Sequence, residues 1–127
     1  MMTYLIDSDV LMDFFKKKDY ALILLEKLIK RGNLAISILS IVELRAGWSN
    51  EQKKFLLPRL YKLVAIKNLT TEIAELAGEF RYEYKIKGIS LPVIDSLIAA
   101  TAIIEKCKLV TRNKKDFPMP EVTFCHF

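Results

Sequence analysis

Histidine occurs once, at position 126, and cysteine twice, at 107 and 125, and these scarcities close off much of the usual catalytic repertoire. A lone histidine beside the C-terminal residue supports neither two imidazoles working as acid and base nor a Ser-His-Asp relay. Two cysteines outside any C-x-x-C spacing argue against a thiolate zinc site. They suit small buried hydrophobes in a reducing, cytoplasmic setting. Glycine and proline number four each. Nowhere do they gather into a linker, and no low-complexity tract or repeat is present, so residues 1–127 are expected to form a single domain. The longest apolar run, Leu91 to Ile104, is shorter than the ~20 residues of a membrane span and carries Asp95 inside it. A soluble protein with no membrane segment is expected.

What is present is a chain of 52% hydrophobic content with acids in unexpected company. Asp7 ends Tyr-Leu-Ile, Glu43 follows Ile-Leu-Ser-Ile-Val, Asp95 interrupts an apolar run, and Asp116 precedes Phe117 just after a short apolar strand. An ionised carboxylate taken out of water costs several kcal/mol unless it is compensated. Several such acids imply a shared compensator, most simply a divalent cation. The net charge of +5 suits a polyanionic partner without demanding one. Lysine and arginine cluster at Lys16 to Lys18, along Lys53 to Lys62, and at Arg112, Lys114 and Lys115. The last group lies within four residues of Asp116 and could hold a phosphate beside a metal.

Apolar periodicity predicts an alternation of strands and helices. Thr3 to Asp7 is β-rich, and a helix follows from Val10 to Phe15. Residues 20 to 31 have helical spacing and stop at Gly32-Asn33 before a strand from Leu34 to Ser37. Ser40 is placed to cap a helix reaching Trp48, with Glu43 as the fourth member of an S-x-x-E capping box. Further helices are expected over 50–63, from Thr70 or Thr71 to Gly88, and from Ser90 or Leu91 to Lys106. Strands are expected at 63–66, 108–111 and 122–124. About five strands without a hairpin signal predict an α/β fold, a mostly parallel sheet covered by helices on both faces. Ligands of such sheets bind outside the carboxyl ends of the strands. Element order puts Asp7, Glu43, Asp95 and Asp116 on that rim. Oxygen ligands alone favour Mg²⁺ or Mn²⁺, and a hydrated ion of that kind suits phosphate chemistry.

The segments Tyr-Leu-Ile-Asp7-Ser8-Asp9-Val-Leu, Ser-Ile-Val-Glu43-Leu-Arg-Ala-Gly47, Asp95-Ser-Leu-Ile-Ala-Ala-Thr-Ala and Leu-Val-Thr111-Arg-Asn113-Lys-Lys-Asp116-Phe117 resemble the four acidic motifs of PIN-domain nucleases, in particular the VapC toxins of type II toxin-antitoxin systems. The resemblance spans nearly the whole chain. It implies a three-layer α/β/α fold and a Mg²⁺- or Mn²⁺-dependent endoribonuclease that leaves a 5′-phosphate and a 3′-hydroxyl. It also implies a homodimer and a cognate VapB-like antitoxin that blocks the cleft. Asp7 and Asp95 would be the principal metal ligands, Glu43 a further ligand or water-positioning group, and Asp116 the fourth acid. Ser8 and Thr111 would be hydroxyl supports and Asn113 a polar neighbour that could itself take the fourth position. One departure is Asp9, where these toxins commonly carry Asn.

Each assignment has a plainer competitor. Glu43 could complete the capping box with Ser40, and Asp9 could cap the first helix. Arg45, Arg112 and Lys114 could touch RNA phosphates or simply be surface charge. Trp48, Tyr82 and Tyr84 fit packing or dimer contact better than base stacking. A haloacid-dehalogenase phosphatase would need Gly-Thr where Val10-Leu11 stand, and a response-regulator receiver would need a late Lys-Pro. The serious alternative is a catalytically silent PIN-like module that binds RNA or protein.

Overall fold

A computed structural model describes residues 1–127. The elements run β1 (Met2–Ile6), α1 (Ser8–Phe15), α2 (Asp19–Ile29), β2 (Gly32–Ser37), α3 (Ile38–Ala46), α4 (Asn50–Leu63), β3 (Ala65–Lys67), α5 (Thr71–Ile86), α6 (Val93–Ile104) and β4 (Lys108–Val110), with a 3₁₀ turn at Lys114–Asp116. The expected alternation is there. All three strand pairings are parallel, in the spatial order β3-β2-β1-β4. The sheet therefore has four strands rather than five. Residues 122–124 contribute only an isolated parallel bridge between Phe124 and Leu109. Pro118 and Pro120 lie just upstream and, having no amide hydrogen, cannot extend the ladder in that direction.

Strand alternation splits the core into two layers. Tyr4, Ile6, Leu34, Ile36 and Val110 face α1, α2, α3 and α4, meeting Leu11, Leu25, Leu44 and Leu60. Leu5, Ala35 and Leu109 face the other way, onto Phe80 and Tyr84 of α5 and Ile98, Ala99 and Ala102 of α6. Each large side chain buried in this way contributes about 1.5–3 kcal/mol. The run of small residues on α6 lets that helix lie close to the sheet, which brings Asp95 in its first turn near the strand ends. Trp48 and Tyr84 are core residues, Trp48 in edge-to-face contact with Phe15, while Tyr82 is exposed. No helix is long and apolar enough to cross a membrane.

The capping box expected at Ser40 and Glu43 does not form. Helix α3 begins at Ile38, directly after β2 and with no intervening loop: Ser37, which ends β2, is itself the cap, its Oγ accepting from the Leu39 amide at 3.2 Å. Ser40 is thereby drawn inside the helix and Glu43 is freed for the rim. A capping box forms instead between Ser49 and Gln52 at the start of α4.

Ser40 is almost fully buried and its Oγ has no hydrogen-bond partner. An orphaned buried hydroxyl destabilises, and alanine is also the better helix former. Ser40→Ala should raise unfolding stability by about 1 kcal/mol, measured as an upward shift of the urea midpoint. A lower midpoint would show that the hydroxyl is satisfied in solution.

Candidate active site

Strand order reverses beside β1. The chain moves outward from β1 to β2 and β3, then returns to place β4 on the opposite side of β1. The crevice beyond the carboxyl ends of β1 and β4 is thus the switch point of the sheet. Asp7 and Thr111 are the residues that leave those two strands. The Asp7 amide still donates to the Val110 carbonyl at 2.9 Å, and Asp7 then caps α1 by accepting from the Ser8 amide at 2.9 Å. Its second oxygen accepts from the buried Thr111 hydroxyl, also at 2.9 Å. Ser8 Oγ donates to Glu43 Oε1 at 3.1 Å, which ties α3 to the same rim.

The electrostatics join the remaining acids to this pair. Burial pushes the Asp7 carboxyl up from an ordinary 3.8 to about 7, with the charges of Asp9 and Glu43 adding to the rise and the Thr111 and Ser8 hydrogen bonds opposing it. Asp95 is also raised, first by burial and then by the charges of Asp116 and Glu43. Asp7, Glu43, Asp95 and Asp116 therefore share one field. No salt bridge reaches any of the four. Asp7 and Asp95 are half-buried, whereas Glu43 and Asp116 are exposed. No three of these side chains draw together tightly enough to enclose an ion directly. The donors on the rim are all carboxylate and hydroxyl oxygens, the set that suits an ion of the Mg²⁺ class, which is held through one or two carboxylates with water completing its shell.

Asp9 occupies a different role from its neighbours. One oxygen accepts from the Val10 amide at 2.7 Å, and the other from the Arg112 amide at 3.1 Å and the Asn113 side-chain amide at 3.0 Å. It is not the cap of α1, and it holds the segment after β4. Burial still raises its pKa, against the pull of the Arg112 amide, the Val10 amide and the Arg112 guanidinium. Asn113 donates its side-chain amide to Asp9, while Asp116 is the residue whose charge acts most on Asp95.

All three cations expected to touch phosphates have partners within the chain. Arg45 donates to the Trp48 carbonyl at 2.9 Å and to Asn50 Oδ1 at 2.6 Å, pinning the turn between α3 and α4. Arg112 lies 3.2 Å from Asp13 and 3.8 Å from Asp9. Lys114 sits 2.9 Å from His126 Nδ1, near the Phe124 ring. A cleft of about 310 Å³ beside Glu43 is lined by Ser8, Asp9, Asp13, Lys16, Lys18 and Arg112, among others. Asp13 is the one residue here that sequence reasoning missed. It stands in Val-Leu-Met-Asp13-Phe-Phe, the same acid-in-apolar-company signal that singled out the others, and it is the only fully buried carboxylate.

Ionisation of Asp7 works against folding. Because its folded pKa exceeds the unfolded value, the folded chain binds the extra proton between about pH 4 and pH 7, so stability falls as pH rises through that window. In EDTA, Asp7→Asn should flatten this decline and raise stability at pH 8 by on the order of 2 kcal/mol, read by thermal melts across pH. Asparagine keeps the helix cap, so a lower melting temperature than the parent at pH 8 would contradict the shared acidic rim.

Comparison with known proteins places this arrangement in context. A family model described as PIN domain matches residues 4–121. The chain is 34% identical over 116 residues to ribonuclease VapC19 of Mycobacterium tuberculosis, covering 91% of this chain and 92% of that protein. It is 34% identical over 113 residues to ribonuclease VapC1 of Methanocaldococcus jannaschii, covering 89% and 77% respectively. The fold superposes with a TM-score of 0.87 and 29% identity on a chain of the crystal structure of VapBC2 from Rickettsia felis bound to a DNA fragment from its promoter, covering 99% of both chains.

Proposed function

The chain belongs to the PIN-domain family, and from its acidic rim we propose that it is a divalent-metal-dependent endoribonuclease, the toxin of a toxin-antitoxin pair. One observation carries this reading: Asp7, Glu43, Asp95 and Asp116 act on one another electrostatically along the rim beside β1 and β4, and no protein cation is paired to any of them. A scaffold that only bound RNA or protein would gain nothing from such repulsion. The kinship with proteins named VapC ribonucleases supports the choice of RNA as the substrate.

Residues 1–127 would act as one catalytic unit. Asp7 and Asp95, the half-buried pair, would hold Mg²⁺ or Mn²⁺, with Asp116 as the fourth acid. When bound, such an ion polarises a phosphoryl oxygen and makes water a better nucleophile at neutral pH. Glu43, exposed and steadied by the Ser8 hydroxyl, would orient the attacking water. Thr111 fixes the rotamer of Asp7 through its hydroxyl, and Asn113 holds Asp9. With Arg45 and Arg112 engaged internally, the exposed Lys16, Lys17 and Lys115 would meet the RNA backbone. The neighbouring complex is named VapBC2, which supports a VapB-like antitoxin as partner, and a homodimer is proposed with it.

Purified protein incubated with a mixed RNA pool should give 5′-phosphate products with Mn²⁺ and none with EDTA. Asp95→Asn should lower cleavage by on the order of 100-fold or more. Cleavage equal in parent and variant would assign the activity to a contaminant and favour the silent module. Binding to the folded state alone also stabilises it, so Mn²⁺ should raise the melting temperature of the parent but not of an Asp7→Asn/Asp95→Asn double variant. Equal rises in both would locate ion binding elsewhere.

A further inference from the structure

The segment from Thr111 to Asp116 must hold a hydroxyl against Asp7 and an acid near Asp95, yet it has little regular structure of its own. It leaves a three-residue strand and ends in a single 3₁₀ turn, a geometry with weak hydrogen bonds. Its position depends on side chains from α1. The Arg112 amide and the Asn113 side-chain amide both donate to Asp9, the Asn113 amide donates to Thr111 Oγ at 3.1 Å, and the Asp116 amide donates to the Asn113 carbonyl at 3.0 Å. Thr111, Asn113 and Asp116 are thus linked to one another through hydrogen bonds.

Behind this segment lies Asp13, with 3% of its surface exposed. It receives the Tyr20 hydroxyl, Lys18 Nζ at 3.1 Å and Arg112 Nε at 3.2 Å. Lys18 comes from the turn between α1 and α2, where Lys17 takes a left-handed conformation at φ 61°, and Tyr20 from the first turn of α2. Burial opposes ionisation of Asp13, but the Tyr20 hydroxyl, Lys18 and Arg112 together outweigh it and hold its pKa below the ordinary range. Asp13 lies four residues, about one helical turn, along α1 from Asp9, so the two carboxylates share a face and grip Arg112 through its side chain and its backbone amide.

We propose that Asp13, Tyr20 and Arg112 form a positioning clamp that locks the segment after β4 onto α1, setting Thr111 and Asp116 relative to Asp7, so that Arg112 is an internal strut rather than an RNA-phosphate contact. A buried carboxylate with three donors is a rigid anchor, and Arg112 is the only one of the three that belongs to the segment after β4. The proposal rests on the nuclease reading for its kinetic consequences, but not for its structural ones.

Asp13→Asn, Arg112→Lys and Arg112→Gln test it in the full chain. By hydrogen exchange, the amides of Arg112 and Asn113 should lose protection about tenfold or more in Asp13→Asn and Arg112→Gln, while β1 and β2 amides stay as in the parent. If RNA is cleaved, kcat should fall 10- to 100-fold with KM for RNA within about twofold and the salt dependence of KM unchanged. The Asp13→Asn/Arg112→Gln double variant should be no slower than the worse single variant, since both remove the same strut. Arg112→Lys keeps the charge at a half-exposed position and serves if Asp13→Asn unfolds; it should lose kcat like Arg112→Gln. Unchanged exchange at Arg112 and Asn113 would overturn the clamp, whether or not the protein cuts RNA. So would a rise in KM with a flatter salt dependence in Arg112→Gln and an unaltered kcat in Asp13→Asn, which would return Arg112 to the RNA. Absence of RNA cleavage in the parent, with the exchange result intact, would fault the nuclease reading alone.

Discussion

The parallel pairing of β1 with β4 is the constraint on which the rim depends. Parallel strands end together, so the last hydrogen bond of that pair, from the Asp7 amide to the Val110 carbonyl, also fixes where Asp7 and Thr111 emerge. From there each acid is placed by a short local device. Asp7 caps its own helix, Ser37 starts α3 without a loop so that Glu43 faces Ser8, and small residues on α6 let Asp95 approach the strand ends. The consequence is a concentration of like charge whose repulsion the fold accepts.

The fold was legible because its signals are local and redundant. Apolar runs, caps such as Thr70 and the stop at Gly32-Asn33 mark the elements to within a few residues. Two features were not legible for physical reasons. An S-x-x-E pattern at Ser40 and Glu43 satisfies the spacing of a capping box, but whether Ser37 or Ser40 caps depends on where the strand ends, which tertiary pairing decides. Residues 122–124 have β-like composition, but their pairing stops at one bridge. That outcome depends on the geometry of the preceding loop.

The site was legible as a set of acids and less so as a set of roles. The premise that all of them lie in a core proved too simple: Asp7 and Asp95 are half-buried, Glu43 and Asp116 reach solvent, and the acid that is buried is Asp13. Burial is not what distinguishes the rim. The difference is cation pairing, since Asp9 and Asp13 have Arg112 and Lys18 beside them and the rim acids have none. Pairing across the chain, as between Arg112 and residues about a hundred positions earlier, leaves no trace in local spacing. The departure of Asp9 from the commoner Asn makes sense in that light, because a second carboxylate facing Arg112 strengthens the hold on the segment after β4.

The brevity of the outer strands has an effect beyond topology. β3 is three residues long, and on the far side β4 is flanked only by the bridge at Phe124. The longer strands β1 and β2 are interior, with both backbone edges already paired. An exposed strand edge is a template on which another chain can add by backbone pairing, and length is what makes that addition stable. Here neither margin offers more than a few free amides and carbonyls. Sheet extension by backbone pairing with a second chain therefore has little to build on at either margin.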